Sequence, residues 1–518
     1  MKHMKKIYIL FLTAIILIPS AKAQLDYKDV AQVFFNNCTS CHHVGGGAPM
    51  PLMTYTQTST YASSILYHVQ EGHMPPWSPD TSYSRFSHER AINQADKSAI
   101  INWVNGGALP GDTTLAPAAP VYTSQYQLNG TPTITLRTPI FPSNASSTDS
   151  YVCFSIPSGL TQDRVLRAYE VIPGNAPIVH HALVFVDTTG TAVSDLTGQC
   201  FSLPGDFGIG GYAPGAAPTV FPGQAPLKAG IRIKAGSNII LQIHYPAGSS
   251  GQLDSTQIRM YFYPEGETGI RPIYNKELLE NWSLYMLPNT VTTFTDKYPD
   301  NGTLQAPLSI FATFPHSHMV CTSIVNYAYA GTDTIPLVRI NNWDFMWQGY
   351  YTYTNLVKIP AGYKLFSKHV YDNTANNPNN PNSPPALVVA GTSTENEMLF
   401  DEYMWLDYQA GDELIDIEEL LANDTLLSLN VNKVSANALS KVFVYPNPAS
   451  NKLSIYLSKT SEYKVRILNI TGQTILKTET FTDNVALDVS SIPPGLYIVE
   501  VLDSKTNERI TKKIVISN

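Results

Sequence analysis

Twelve histidines occur in this chain, and five of them fall in three short apolar segments. His180 and His181 stand in "APIVHHALVFVD", His244 in "IILQIHYPAG", and His316 and His318 in "TFPHSHMV"; Met398 follows in "GTSTENEMLFDEYMW". Clustered imidazoles suit Zn, Cu, Fe or Ni, and a thioether shifts the choice toward Cu(I). The HxH pair sits in a run with the pattern of a β-strand, where alternate residues share a face, so both rings look the same way. His180 and His181, being adjacent, point to opposite faces of a regular strand. Sharing one ion then requires a twist, a bulge or the use of different ring nitrogens.

A second constellation lies near the start of the chain. "NNCTSCHHV" holds Cys38, Cys41 and His42 in the spacing of a c-type haem attachment site. Two thiols three residues apart on a helical turn can each add to a haem vinyl group, and the next residue places an imidazole on the iron. Met74, in "EGHMPPW", is the predicted distal ligand, with Met50, Met53, His43, His68 and His73 also near in sequence. Thioether ligation raises the haem potential. The remaining cysteines, Cys153, Cys200 and Cys321, admit one disulfide in an oxidising compartment.

The elements that must position these groups follow from the patterning around them. Residues 1–23 have the form of a secretory signal: a basic start, the apolar run "IYILFLTAIILI" and an A-x-A site ending at Ala23. The mature chain is expected to begin near Gln24, to lie outside the cytoplasm and to carry no transmembrane segment. Residues 24–115 are predicted helical from "LDYKDVAQVFFNNC" and "NQADKSAIINWVNGGAL". With the haem motif this makes a small all-α, cytochrome c-like domain. "GDTTLAPAAPVYTS" has the composition of a linker. From about 120 to 425 short apolar runs such as "RVLRAYEVI" and "NIILQIHYP" alternate with Pro, Gly and Asn clusters, an all-β signature. "DNTANNPNNPNSPP" is an exposed loop and "NVNKVSANALSK" a polar link. Strands return in 440–518. A length of 518 residues fits three or four domains, and the net charge of −8 argues against a nucleic-acid partner.

The order HH, then "LQIHY", then HxH, then "GTS…EM" resembles the copper type II, ascorbate-dependent monooxygenases, the family of peptidylglycine α-hydroxylating monooxygenase and dopamine β-monooxygenase. The resemblance runs through residues 120–425. It implies two consecutive jelly-roll-like β-sandwich domains, 120–270 and 271–425. It implies one copper held by His180, His181 and His244, and a second, catalytic copper held by His316, His318 and Met398. The implied activity is O2-dependent hydroxylation of a C–H bond in a small organic substrate. Two electrons per turnover would come from an external reductant, ascorbate-like or a redox protein, with the fused haem as a route to the first copper. The resemblance also implies a Cys153–Cys200 disulfide, because these residues flank the HH pair as a family disulfide does.

Two positions depart from the family pattern. Phe314 stands where the peptide-amidating member has an Arg that grips a carboxylate, and Glu402 stands where the family has a Tyr, with Tyr403 adjacent. A glycine-extended peptide is therefore not the expected substrate. "NWDFMWQGYY" (343–351) is assigned to hydrophobic core in preference to an aromatic wall of the site. The alternative function is a copper-binding, electron-transfer protein without hydroxylase activity.

The tail segments "VFVYPNPASNKLSIYLS" and "GLYIVEV" resemble the C-terminal sorting domain of type IX secretion cargo from Bacteroidetes-type bacteria. This implies a small β-sandwich over 440–518, the type IX secretion machinery as partner, and passage through the periplasm to the outer-membrane surface or the medium.

Overall fold

The computed structural model describes residues 24–122, 127–200, 205–215, 217–427 and most of 442–517. The expected signal segment and the polar link at 430–441 lie outside the described residues. The chain divides into two compact units, Met1–Ser428 and Leu429–Asn518.

The first unit opens with helices Tyr27–Asn37, Tyr55–Thr60, Ala62–Gln70 and Gln94–Asn105. The side chain of Asn93 caps the last of these by accepting from Asp96 N–H, satisfying one of the donors a helix start leaves unpaired. Apolar residues at helical spacing, Val30, Ala31 and Phe34, pack on Ile100 and Trp103 to close a small core.

Two β-sandwiches follow. In the first, one sheet runs in the order Ser150–Pro157, Asn238–Tyr245, His181–Asp187, Phe207–Tyr212. Its central strand, Asn238–Tyr245, is buried along its whole length, which is why "NIILQIHY" is a nearly unbroken apolar run. In the second sandwich, one sheet runs Tyr274–Glu280, Phe400–Asp407, Leu308–His316, Tyr351–Ile359. The other runs Thr290–Tyr298, Lys364–Asn373, Cys321–Ala330, Asp333–Ile340. Phe311, Ala312, Met404 and Leu406 of the second sandwich belong to the same apolar cluster as Val184, Ile209 and Leu241 of the first. A continuous core therefore holds the two sandwiches together.

The segment between the third and fourth helices reaches across to the second sandwich. Asp80 accepts from Arg339 Nη2 at 2.7 Å, Ser87 N–H donates to Thr352 O at 2.7 Å, and the Phe86 ring packs on Tyr353 at 4.9 Å between centroids.

The second unit is a separate sandwich. One sheet joins Val442–Tyr445, Lys452–Leu457 and Asn484–Asp488; the other joins Thr474–Lys477, Tyr463–Leu468, Gly495–Asp503 and Arg509–Ile516. Leu453, Ile455, Val465, Val499 and Ile514 fill it.

Candidate functional site

Sheet register builds the first histidine cluster. His244 lies directly opposite His181 on the neighbouring strand, and His180 N–H donates to His244 O at 3.0 Å. His180 precedes the strand, which begins at His181, so it is not bound by the alternation of a regular strand. That resolves the geometric difficulty of the adjacent pair: the departure from a regular strand falls at His180 itself. The Nδ1 atoms of His180 and His181 are 3.2 Å apart, and those of His181 and His244 are 3.4 Å apart. All three residues offer nitrogens within 4.8 Å of one another.

The hydrogen bonding fixes which nitrogen is free. His244 Nε2 donates to Asp149 Oδ2 at 2.9 Å, since a carboxylate can only accept; its Nδ1 then carries the lone pair. Burial pushes His180 down to about 4 and holds His181 well below the ordinary imidazole value. A neutral imidazole with an uncommitted lone pair is the form that binds a metal.

The second cluster is assembled differently. The strand ends at His316, so Ser317 and His318 lie beyond it, against the single strand expected through both histidines. Their rings nevertheless face each other at 5.2 Å, nearly perpendicular at 85°. His316 Nδ1 bonds the Gln348 side-chain oxygen, and His318 Nδ1 donates to Asn396 O at 3.1 Å. Both Nε2 atoms are left for a ligand. Burial pushes His316 down to about 4 and His318 to about 3.

Met398 is tied to this pair through its backbone. Its carbonyl accepts from Ser317 Oγ at 2.5 Å and from Tyr371 OH at 2.8 Å. The carboxylate of Glu397 accepts from the amides of His318 (2.8 Å), Val320 (2.7 Å), Cys321 (3.2 Å) and Met398 (3.2 Å). One side chain thus clamps the histidine turn to the methionine segment. Burial still pushes Glu397 up to about 8 against those four donors.

Behind Ser317 stands His369, 3.0 Å from the hydroxyl, and behind His369 stands Asp401 at 3.2 Å. The order Ser–His–Asp matches a hydrolytic triad, but all three residues are fully buried and the hydroxyl is committed to Met398 O. No substrate reaches it, so the network serves to position the turn.

His181 of the first cluster and His316, His318 and Met398 of the second line one cavity of about 600 Å³. Phe345 and the run Trp347–Tyr351 also line it, which corrects their assignment to core alone; Trp343 and Tyr351 of that stretch pack into the apolar interior. The chain turns at 343–350 between two strands, so these rings sit at the sheet's end and not within it.

The CxxCH segment abuts the same cavity. Cys38 caps the first helix, and the amides of Cys41 and His42 both donate to Cys38 O, placing the three residues on one turn. Ser40 lines the cavity. The loop after strand Phe207–Tyr212 approaches so closely that a Cβ on Gly215 would fall 1.9 Å from Cys41 Sγ. Tyr212 on that strand pairs with Ala182, next to His181. His42 Nδ1 donates to Met50 O at 2.9 Å, leaving Nε2 free, and neither Cys38 nor Cys41 is in a disulfide. This donor set fits a covalently attached haem. Met74 is half-buried on the turn after helix Ala62–Gln70, its amide donating to His68 O at 3.1 Å. Of the alternatives, His68 and His73 face each other and His43 stacks on Tyr122.

Cys153 and Cys200 form the disulfide, and Cys321 is a buried thiol. Asp149, Gln348, Glu397 and the Ser317–His369–Asp401 network were not singled out from sequence. Only Glu397, beside Met398, carried a local signal.

Residues 443–517 match the family described as the secretion system C-terminal sorting domain. The chain therefore carries a type IX sorting tail and is exported to the cell surface or beyond it. No helix among the described residues is long and apolar enough to cross a membrane. Over 91 residues the chain is 32% identical to an endo-acting ulvan lyase of Formosa agariphila, covering 17% of each protein. The match thus spans about a sixth of that curated relative's length. Among solved structures, PorZ, a surface component of the type IX secretion system of Porphyromonas gingivalis, aligns at 19% identity over 24% of this chain and 14% of its own, with a TM-score of 0.15. The BSP domain of a biofilm-associated protein aligns at 10% identity over 78% and 83%, with a TM-score of 0.17. Similarity this low carries no argument about residues 24–428.

Proposed function

We propose that this exported chain is a dicopper, O2-dependent monooxygenase that hydroxylates a C–H bond of a small organic substrate. The observation that supports it most is the cavity bordered by two imidazole clusters whose hydrogen bonds leave Nδ1 free on His244 of the first and Nε2 free on both histidines of the second. Copper at the two sites would supply one-electron storage and O2 chemistry, and a haem on Cys38, Cys41 and His42 would supply a point of entry for electrons. His180, His181 and His244 would hold the first ion, with Asp149 fixing the tautomer. His316, His318 and Met398 would hold the second, with Glu397 and Ser317 setting the spacing of turn and thioether. The cavity walls Phe314, Phe400 and Trp347 keep the substrate apolar surface out of water. One oxygen atom enters the substrate and the other leaves as water, which consumes two electrons and two protons from an external reductant.

The arrangement of residues 24–115 as the haem-bearing domain, 120–270 and 271–425 as the copper domains, and 440–518 as the address belongs to the same proposal. Metal analysis with optical spectroscopy of the purified exported protein is the test. Two coppers and one haem per chain, with O2 uptake that needs both a reductant and an organic substrate, are expected. Copper binding without substrate-dependent uptake would instead establish the electron-transfer alternative.

A further inference from the structure

The third helix, Ala62–Gln70, ends in a turn that brings two imidazoles together outside both clusters already described. Glu71 caps the helix, its amide donating to Tyr67 O at 3.0 Å. Gly72 follows at φ 79°, a left-handed conformation that reverses the chain. The reversal brings His73 back over the last helical turn, beside His68. Met74 N–H then donates to His68 O at 3.1 Å and closes the turn. The Nδ1 atoms of His68 and His73 are 3.3 Å apart, with ring centroids at 5.5 Å and planes at 56°. Tyr67 packs edge-on against both rings, at 5.1 and 5.8 Å.

A direct hydrogen bond explains this approach poorly. One Nδ1 would have to carry the proton, and 3.3 Å lies beyond the usual N–H donor range of about 2.7–3.2 Å. An ion explains it directly: two nitrogens of a tetrahedral site, each about 2.05 Å from zinc, stand about 3.3–3.4 Å apart. A square-planar pair would be about 2.9 Å apart, and a linear pair about 4 Å. The same spacing recurs in the first cluster, at 3.2 and 3.4 Å. With Nδ1 as the donor atom, each ring carries its proton on Nε2. Among the described residues no third histidine, cysteine or carboxylate joins the pair within 4.8 Å, so water completes the shell. We propose that His68 and His73 bind Zn(II) through Nδ1, as a staple between the end of the third helix and the turn that carries Met74. Imidazoles suit zinc, and the tetrahedral spacing disfavours the tetragonal geometry of Cu(II). The binding energy becomes local stability of the turn from which Pro76 and Trp77 go on to line the cavity.

The test is hydrogen exchange followed by mass spectrometry on the full chain, freed of metal ions with EDTA and then given zinc chloride. Saturating zinc is expected to slow exchange of the amides in 66–74 about tenfold or more. His73→Ala, at an exposed position, and His68→Ala should each abolish that slowing. His43→Ala, whose ring stacks on Tyr122 in the same domain, should keep it. Zinc taken up by His180, His181 and His244 slows exchange in other segments, so the two sites are read apart and the copper reading stands or fails by itself. No slowing in 66–74, slowing that survives both His68→Ala and His73→Ala, or slowing with Cu(II) but not with zinc overturns the assignment. A haem spectrum altered in His73→Ala would place that imidazole on the iron and overturn it as well.

Discussion

In the first cluster all three imidazoles hang at one end of a single sheet, two of them on paired strands; in the second, the strand stops at His316 and the other two residues, His318 and Met398, come from a turn and a loop. The first is held by backbone register and one partly exposed carboxylate, Asp149. The second is held by buried side chains: Glu397 on four amides, and Ser317, His369, Asp401 and Tyr371 around the Met398 carbonyl. Sheet register is fixed by many ladder bonds, so one side chain can be lost with little displacement. A turn held by a few side-chain hydrogen bonds has no such redundancy. The stable, three-nitrogen site is therefore built into the scaffold, and the site with the mixed donor set depends on a polar network that can be tuned or broken.

That contrast yields graded expectations. The largest effect should come from Glu397→Ala, which orphans four buried N–H donors and should cost about 3 kcal/mol or more. Urea denaturation should show the loss, and, on the proposed dicopper reading, metal analysis should find the second copper gone with the first retained. Loss of both coppers together would mean that the clusters are not independently built. Next, His369→Ala should weaken copper at the second site about 100-fold, and the first site by less than about twofold, as outer-shell partners do when buried. Titration followed by electron paramagnetic resonance separates the two ions. Asp149→Asn should weaken the first site about tenfold, the low end of that range, because the Asp149 side chain is 41% exposed and water can take its place. An effect as large as that of His369 would contradict the division between register and network.

The smallest expected effect concerns the buried carboxyls. Glu170 in the first sandwich is paired with Arg259, whereas among the described residues no cation pairs with Glu402, which burial pushes up to about 8. A raised folded value means that the folded state holds the proton more tightly than the unfolded chain. Glu402 therefore contributes stability fully present below the unfolded carboxyl value, and lost as pH rises through about 8. Comparing denaturation midpoints of the metal-free wild type and Glu402→Gln from pH 5 to 9 should show the variant gaining relative stability as pH rises. A constant difference would mean that Glu402 is already ionised in the fold.

Much of the fold was legible from local patterning. "RVLRAYEVI" is the strand Arg164–Ile172, and the apolar run in "NIILQIHYP" is the strand Asn238–Tyr245. The helices around "DVAQVFF" and "AIINWV" fall where apolar spacing put them. The stretch 343–351 misled because aromatic residues look alike whether they fill a core or face a cavity; only the position of the turn relative to the sheet end distinguishes them. His318 misled in a milder way, since nothing in "PHSHMV" marks where the ladder stops.

By itself the sequence determined the types of donor, their order, the CxxCH turn and the sorting tail, because each depends on covalent spacing or on short-range periodicity. Tertiary structure alone decided which nitrogen His244, His316 and His318 offer, that both clusters and the CxxCH segment border one cavity, and that Glu402 stands in it with no cation partner among the described residues. Those facts depend on acceptors far away in the chain: Asp149 is 95 residues from His244, and Asn396 is 78 from His318. Only close packing of sheets and turns brings such groups within hydrogen-bonding distance, and local pattern carries no record of it.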